Sequence, residues 1–231
     1  MLPRLLSVGL MLSLLPGGAI AAERPVVVEL FTSQGCSSCP PADAFLTDLA
    51  RNRPDVLPLA FHVTYWNELG WKDPFSLDAA TQRQSRYGAR FGDGSYTPEA
   101  VVDGVRDLVG SDRDGIGSAI QQARQEGQTA ASIHVKRGSG QISILVGAGN
   151  GSGQVLLIGF DHEHHTAVGR GENSGRTLIE SNIVRSIHAV GQWSGAPFQV
   201  SVPFPDGQDI AVILEAPDGR IVGAGRLDSS T

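Results

Sequence analysis

The chain has 231 residues, 41 % of them hydrophobic and 18 % charged, with a formal net charge of −6. No Lys/Arg-rich run or basic stripe interrupts this acidic balance, which argues against nucleic acid or an anionic membrane as the main partner. Two cysteines are too few for a disulfide framework, which needs several bridges over long loops.

Residues 1–21 read as a secretory signal: Arg4 supplies a positive start, Leu5 to Leu15 is mostly apolar, and Ala19-Ile20-Ala21 fits a small-x-small cleavage pattern. That apolar stretch is shorter than the ~20 residues a membrane span requires. No membrane span is expected after cleavage, and the location expected is periplasmic or secreted. In such an oxidising compartment a cysteine pair rests as a disulfide unless a reductant serves it.

Val26 to Phe31 is a short, nearly continuous apolar run that predicts a buried strand. Cys36-Ser37-Ser38-Cys39 follows, and two residues separate the only cysteines of the chain. A bridge this short stabilises little, so the spacing points to redox chemistry or metal capture. Ala42, Phe45, Leu46, Leu49 and Ala50 then fall on one face of a helix. Residues 55–63 predict a second strand, with Pro58 favouring an edge or a strand start.

Leu77 to Phe91 predicts a helix with a patchy apolar stripe. Ala100-Val101-Val102 predicts a strand, and Asp103-Gly104 a two-residue turn into Val105 to Val109. Ser111-Asp112-Arg113-Asp114 reads as a capping box for a helix burying Ile116, Ala119, Ile120 and Ala123. From Ser132 onward the periodicity drops to two, with Ile133/Val135, Ile142/Ile144/Val146 and Val155/Leu157 alternating between Gly-rich turns. The fold class expected is therefore α/β: a mixed sheet with helices on both faces over residues 24–127, followed by an all-β sandwich-like domain over 130–231.

The strand, the C-x-x-C at a helix start, the β-α-β-α-β-β-α order and Thr97-Pro98 before a strand together resemble the thioredoxin-like superfamily. More narrowly, Glu29 to Asp43, His62-Val63-Thr64-Tyr65-Trp66-Asn67, Tyr96-Thr97-Pro98 and Gly169-Arg170-Gly171-Glu172-Asn173 resemble a secreted bacterial thioredoxin-like family catalogued only as a domain of unknown function. The resemblance implies a cis proline at Pro98 beside the cysteines, exposing a backbone group at Thr97 to an extended substrate. Two departures stand out: Gly35 occupies the place where thioredoxins carry tryptophan, and Thr64 stands where that narrower family has an acidic residue.

The chemistry expected is thiol–disulfide exchange. Cys36 projects outward near the positive end of the helix dipole as nucleophile, and Cys39 resolves from beneath. Pro40 and Pro41 start the regular helix and leave the cysteines in the preceding turn. Asp43 opposes a thiolate if it shares that end. Glu29, if it points beneath the pair, moves protons for Cys39. No cofactor is expected, and the partners expected are exported protein substrates and a redox-recycling protein.

Two alternatives stay open. The same two thiolates, Cys36 and Cys39, suit copper(I), making the chain a carrier or assembly factor. Otherwise the chain is a non-catalytic interaction module. Asp161-His162-Glu163-His164-His165 reads as a solvated loop at a strand end rather than a metal site. Tyr65, Trp66 and Trp71 form either a lip for polypeptide or a plug between strand and helix. Gly169 to Asn173 reads as a polar loop with Arg170 and Glu172 placed to pair.

Overall fold

The computed structural model describes residues 24–126 and 131–227, and the signal expected at 1–21 lies outside the described residues. β1 (Val26–Thr32) is buried along its whole length because it is an inner strand. It runs parallel to β2 (Val56–His62) on one side and antiparallel to β3 (Glu99–Val102) on the other. β3 turns into β4 (Arg106–Val109) through Asp103 and Gly104, at φ values of 47° and 63°, and Val105. The connection has three residues because Val102 pairs with Arg106 rather than with the Val105 expected to begin the strand.

Strand parity sorts the core into two faces. Val28, Leu30, Val56, Ala60, Ala100 and Val102 meet α1 (Pro40–Asn52) and α3 (Arg113–Glu126) through Ala42, Leu46, Leu49, Ile116, Ala119 and Ile120. Val27, Phe31, Leu57, Leu59, Phe61 and Val101 face the opposite way, towards Ala80 and Tyr87 of α2 (Asp78–Phe91). Burial of each such large apolar side chain contributes about 1.5–3 kcal/mol. The stripe of α2 looks patchy in sequence because Arg83 and Gln84 are on its buried face. At α3 the cap is Asp112, whose Oδ1 accepts from the Gly115 amide at 3.0 Å, rather than the Ser111 of the expected box.

The second half contributes β5 (Ile133–Arg137), β6 (Ile142–Val146), β7 (Gly153–Ala167), β8 (Thr177–Trp193), β9 (Phe198–Val202), β10 (Asp209–Glu215) and β11 (Ile221–Arg226). An eight-stranded mixed sheet has the order β11-β10-β7-β8-β2-β1-β3-β4, and β5-β6-β9 form a second, antiparallel sheet. The two sheets enclose a sandwich core of Val135, Ile144, Val155, Leu157, Trp193 and Val212. β10 reads as an unbroken apolar run because Ile210, Val212 and Leu214 face that core while Ala211 and Ile213 face the other. The large sheet curls far enough for the Ile221 amide to donate to the Asp103 carbonyl at 2.8 Å.

β8 seats beside β2, so both halves of the chain share one sheet. This corrects the reading of Pro58 as an edge or strand-start residue, since Pro58 lies inside a central strand. The missing N–H is tolerated because the β2–β8 ladder is reduced to a single pair, Ala60 with Ile183. Asn182, at φ 51°, turns its side-chain amide to the Pro58 carbonyl at 2.8 Å in place of a backbone donor.

Candidate functional site

Cys36 and Cys39 form a disulfide just ahead of α1. The two prolines occupy the first helical positions, where no N–H is needed. Cys39 is the cap residue and has helical angles (φ −76°, ψ −36°) although proline follows it. Its carbonyl accepts from Ala42 and Asp43 at 2.8 and 3.1 Å, and its amide donates to the Cys36 carbonyl at 3.3 Å. Ser38 Oγ lies 3.3 Å from Cys36 Sγ.

The outward sulfur expected from the sequence is not found: both cysteines are 0 % exposed. Two segments cover them. Trp66 lies over Gly35, where an added Cβ would come within 3.2 Å of Trp66 Cβ, and its Nε1 donates to Thr97 Oγ1 at 2.8 Å. Gly35 thus stands before the cysteine because a tryptophan from another segment fills the space. On the other side is the turn joining β7 to β8. Asn173 Nδ2 donates to the carbonyls of Gln34 at 3.0 Å and Cys36 at 2.9 Å, and Glu172 Oε2 accepts from the Ser37 amide at 3.0 Å. Glu172 is therefore spent on the cysteine loop rather than on Arg170, and the loop from Gly169 to Asn173 belongs to the site.

Thr97-Pro98 is a cis peptide. It is near the helix start, since a Cβ added at Gly110 would fall 2.9 Å from Pro98 Cβ and 3.2 Å from Ala42 Cβ. Glu29 is elsewhere. It shares parity with Val27 and Phe31, so it points away from α1 and accepts from Arg83 and Tyr87, each at 2.5 Å. The proton-carrying role expected for it beneath the pair is corrected on that ground.

A different polar cluster lies under α1, at the ends of β1 and β2. Thr32 Oγ1 donates to Asp43 Oδ1 at 2.7 Å, and His62 Nδ1 pairs with Asp73 Oδ2 at 2.7 Å. Gln34 ties the cluster to the cover: its amide donates to Asp73, its Nε2 to Glu180, and its Oε1 accepts from Trp71 Nε1. Asp43 Oδ2, His62 Nε2 and Glu180 Oε1 are buried and have no hydrogen-bond partner. Burial and then the Glu180 charge push Asp43 up to about 8. Burial opposes a charged His62, but the Asp73 and Glu180 carboxylates outweigh it and raise the imidazole to about 9. Asp43 is therefore neutral at pH 7 and does not oppose a thiolate, contrary to the expectation from its position.

Both groups hold protons in the folded chain that the unfolded chain has released, Asp43 between 3.8 and about 8 and His62 between 6.5 and about 9. Stability must then fall as pH rises through 6.5 to 9, most steeply below 8 where both contribute, by on the order of 1–2 kcal/mol per unit. Urea midpoints at pH 6.5, 8 and 9 check this; a flat profile would remove the charged His62–Asp73 pair from the account.

Tyr65 and Trp71 join Trp66 in the connection between β2 and α2; Tyr65 is 40 % exposed and its hydroxyl bonds Gln84 Oε1 at 3.2 Å. The histidines expected in a loop are instead within β7. There His164 and His165 pair with Asp161 and Glu163 at 2.8 and 3.0 Å. Asn173, Gln34, His62 and Asp73 were missed as site residues. The available signal was that all four belong to, or lie close to, the motifs carrying the family resemblance.

A family profile described as "Protein of unknown function (DUF1223)" matches residues 27–215. The crystal structure of protein AGR_C_4864 from Agrobacterium tumefaciens is similar, with 34 % identity and a TM-score of 0.78, over 89 % of this chain and 96 % of that one. HBP35 of Porphyromonas gingivalis shares the fold at 15 % identity and a TM-score of 0.68, over 90 % of this chain and 76 % of that one. Among curated proteins none matches.

Proposed function

The chain belongs to the DUF1223 family of proteins of unknown function, and from this premise we propose that it is a thioredoxin-like protein exchanging disulfides with exported protein dithiols. The observation carrying this reading is the Cys36–Cys39 disulfide ahead of α1, with Thr97-Pro98 beside that helix end. The N-terminal end of a helix favours an anionic sulfur. The neutral Asp43 in the first turn adds no opposing charge.

In the exchange, a partner thiolate attacks Cys36 Sγ, the Cys36–Cys39 bond breaks, and Cys39 leaves and takes a proton. The partner's second thiol, losing its proton, then attacks the mixed disulfide and expels Cys36 as thiolate. The partner dithiol is oxidised by two electrons and the cysteine pair reduced by two. Run backwards, the same steps reduce a partner disulfide.

Complete cover over both sulfurs favours a second reading, in which the disulfide is a fixed part of a non-catalytic interaction module. One assay separates the two. The native chain is incubated with a reduced, unfolded protein dithiol, and loss of partner thiols is followed against stoichiometric reduction of the cysteine pair. Exchange faster than air oxidation supports the enzyme reading. Absence of exchange by folded protein supports the module.

A further inference from the structure

The cover from the β7–β8 turn is built as a latch. Val168 and Arg176 close its base, with the Val168 amide donating to the Arg176 carbonyl at 2.9 Å and the Gly175 amide to the Val168 carbonyl at 2.8 Å. Arg176 Nη1 holds Asn173 Oδ1 at 3.0 Å, which aims both Nδ2 hydrogens at the Gln34 and Cys36 carbonyls. Asn173 is fully buried in that grip. Glu172 is exposed at the tip, and its carboxylate occupies the Ser37 amide, the residue next to Cys36. Hydrogen bonds from Ser37 hold that carboxyl below the usual range, so it is charged at neutral pH.

We propose that residues 168–176 are a redox-linked lid, closed by Asn173 over the disulfide and expelled by Glu172 when Cys36 becomes a thiolate. A disulfide is neutral and tolerates the carboxylate beside it. A thiolate one residue away repels that carboxylate and competes for the same donors. Because coupling is reciprocal, a lid that closes better on the disulfide also favours the disulfide. Asn173 and Glu172 are positioning residues here, acting on Cys36 through its access and charge. The inference rests on the exchange reading, but its test uses only small reagents.

Oxidised protein is treated with a phosphine reductant, and reduced protein with iodoacetamide. Asn173→Ala lacks the latch, so its disulfide is reduced on the order of tenfold faster than in the native chain. Its pair is also easier to reduce at equilibrium with a glutathione buffer, by about tenfold in the constant or about 30 mV. Glu172→Gln keeps an acceptor for Ser37 without the charge, so its lid stays shut in both states. Its disulfide resists the phosphine as the native one does, while its reduced Cys36 is alkylated several-fold more slowly than native Cys36. Arg176→Ala, at an exposed position, releases Asn173 and gives a milder form of the first pattern should Asn173→Ala fail to fold. Equal phosphine rates in folded native and latch variants, or equal alkylation of reduced native and Glu172→Gln protein, overturns the lid. Failure of protein exchange with these rates as expected overturns the enzyme reading alone.

Discussion

Replacing Arg83 by methionine is expected to cost the folded chain about 3–5 kcal/mol, close to the limit a domain tolerates. Arg83 is buried between the sheet and α2, and its guanidinium donates to both oxygens of Glu29, at 2.5 and 3.0 Å, and to Glu215 at 2.5 Å. Tyr87 adds a hydroxyl to Glu29 at 2.5 Å. Glu29 is 0 % exposed among Phe31, Phe61 and Tyr87, so without the guanidinium its charge is stranded in an apolar core. Guanidinium unfolding at pH 7 measures the loss. The double variant Arg83→Met/Glu29→Gln recovers part of it, because the stranded charge is gone. A loss under about 1 kcal/mol in the single variant would mean that the buried Arg83–Glu29 pair contributes no more than an exposed one.

The second large effect is on chemistry. Cys36→Ala is expected to reduce dithiol exchange to background, a fall on the order of a thousandfold or more, since Cys39 is then the only thiol left and has no second cysteine with which to form the disulfide that is exchanged. Cys39→Ala behaves differently: the Cys36 thiolate still attacks a partner disulfide and releases one partner thiolate, but no second cysteine resolves the product, and a mixed disulfide accumulates on a non-reducing gel. The asymmetry follows from position, with Cys39 locked at the helix cap through its bonded carbonyl and Cys36 in the turn beside Ser38. A trapped complex in Cys36→Ala rather than Cys39→Ala would reverse the two roles. Neither variant alters the buried polar cluster, so both are expected to keep the pH profile of stability.

Much of this arrangement was legible along the chain. The run from Val26 to Phe31, the stripe Ala42-Leu46-Leu49 and the turn Asp103-Gly104 each encode their element within about ten residues, because strand and helix burial impose periods of two and 3.6. The cysteine spacing and the prolines at the helix start are equally local. Pro58 misled because its tolerance depends on Asn182, whose side chain replaces a ladder donor from a strand 124 residues away. The histidines of β7 misled because a polar, partly exposed strand end has the composition of a loop.

Local pattern by itself determined where the elements lie and that a dithiol pair sits at the head of a helix, since both are set by near neighbours. Only the tertiary structure decided which groups surround that pair. Parity turned Glu29 to the far face, the ends of β1 and β2 brought His62, Asp73 and Asp43 under α1, and Asn173 closed over Cys36 from 137 residues downstream. Such contacts are made between side chains with no shared period, so no window of sequence contains them.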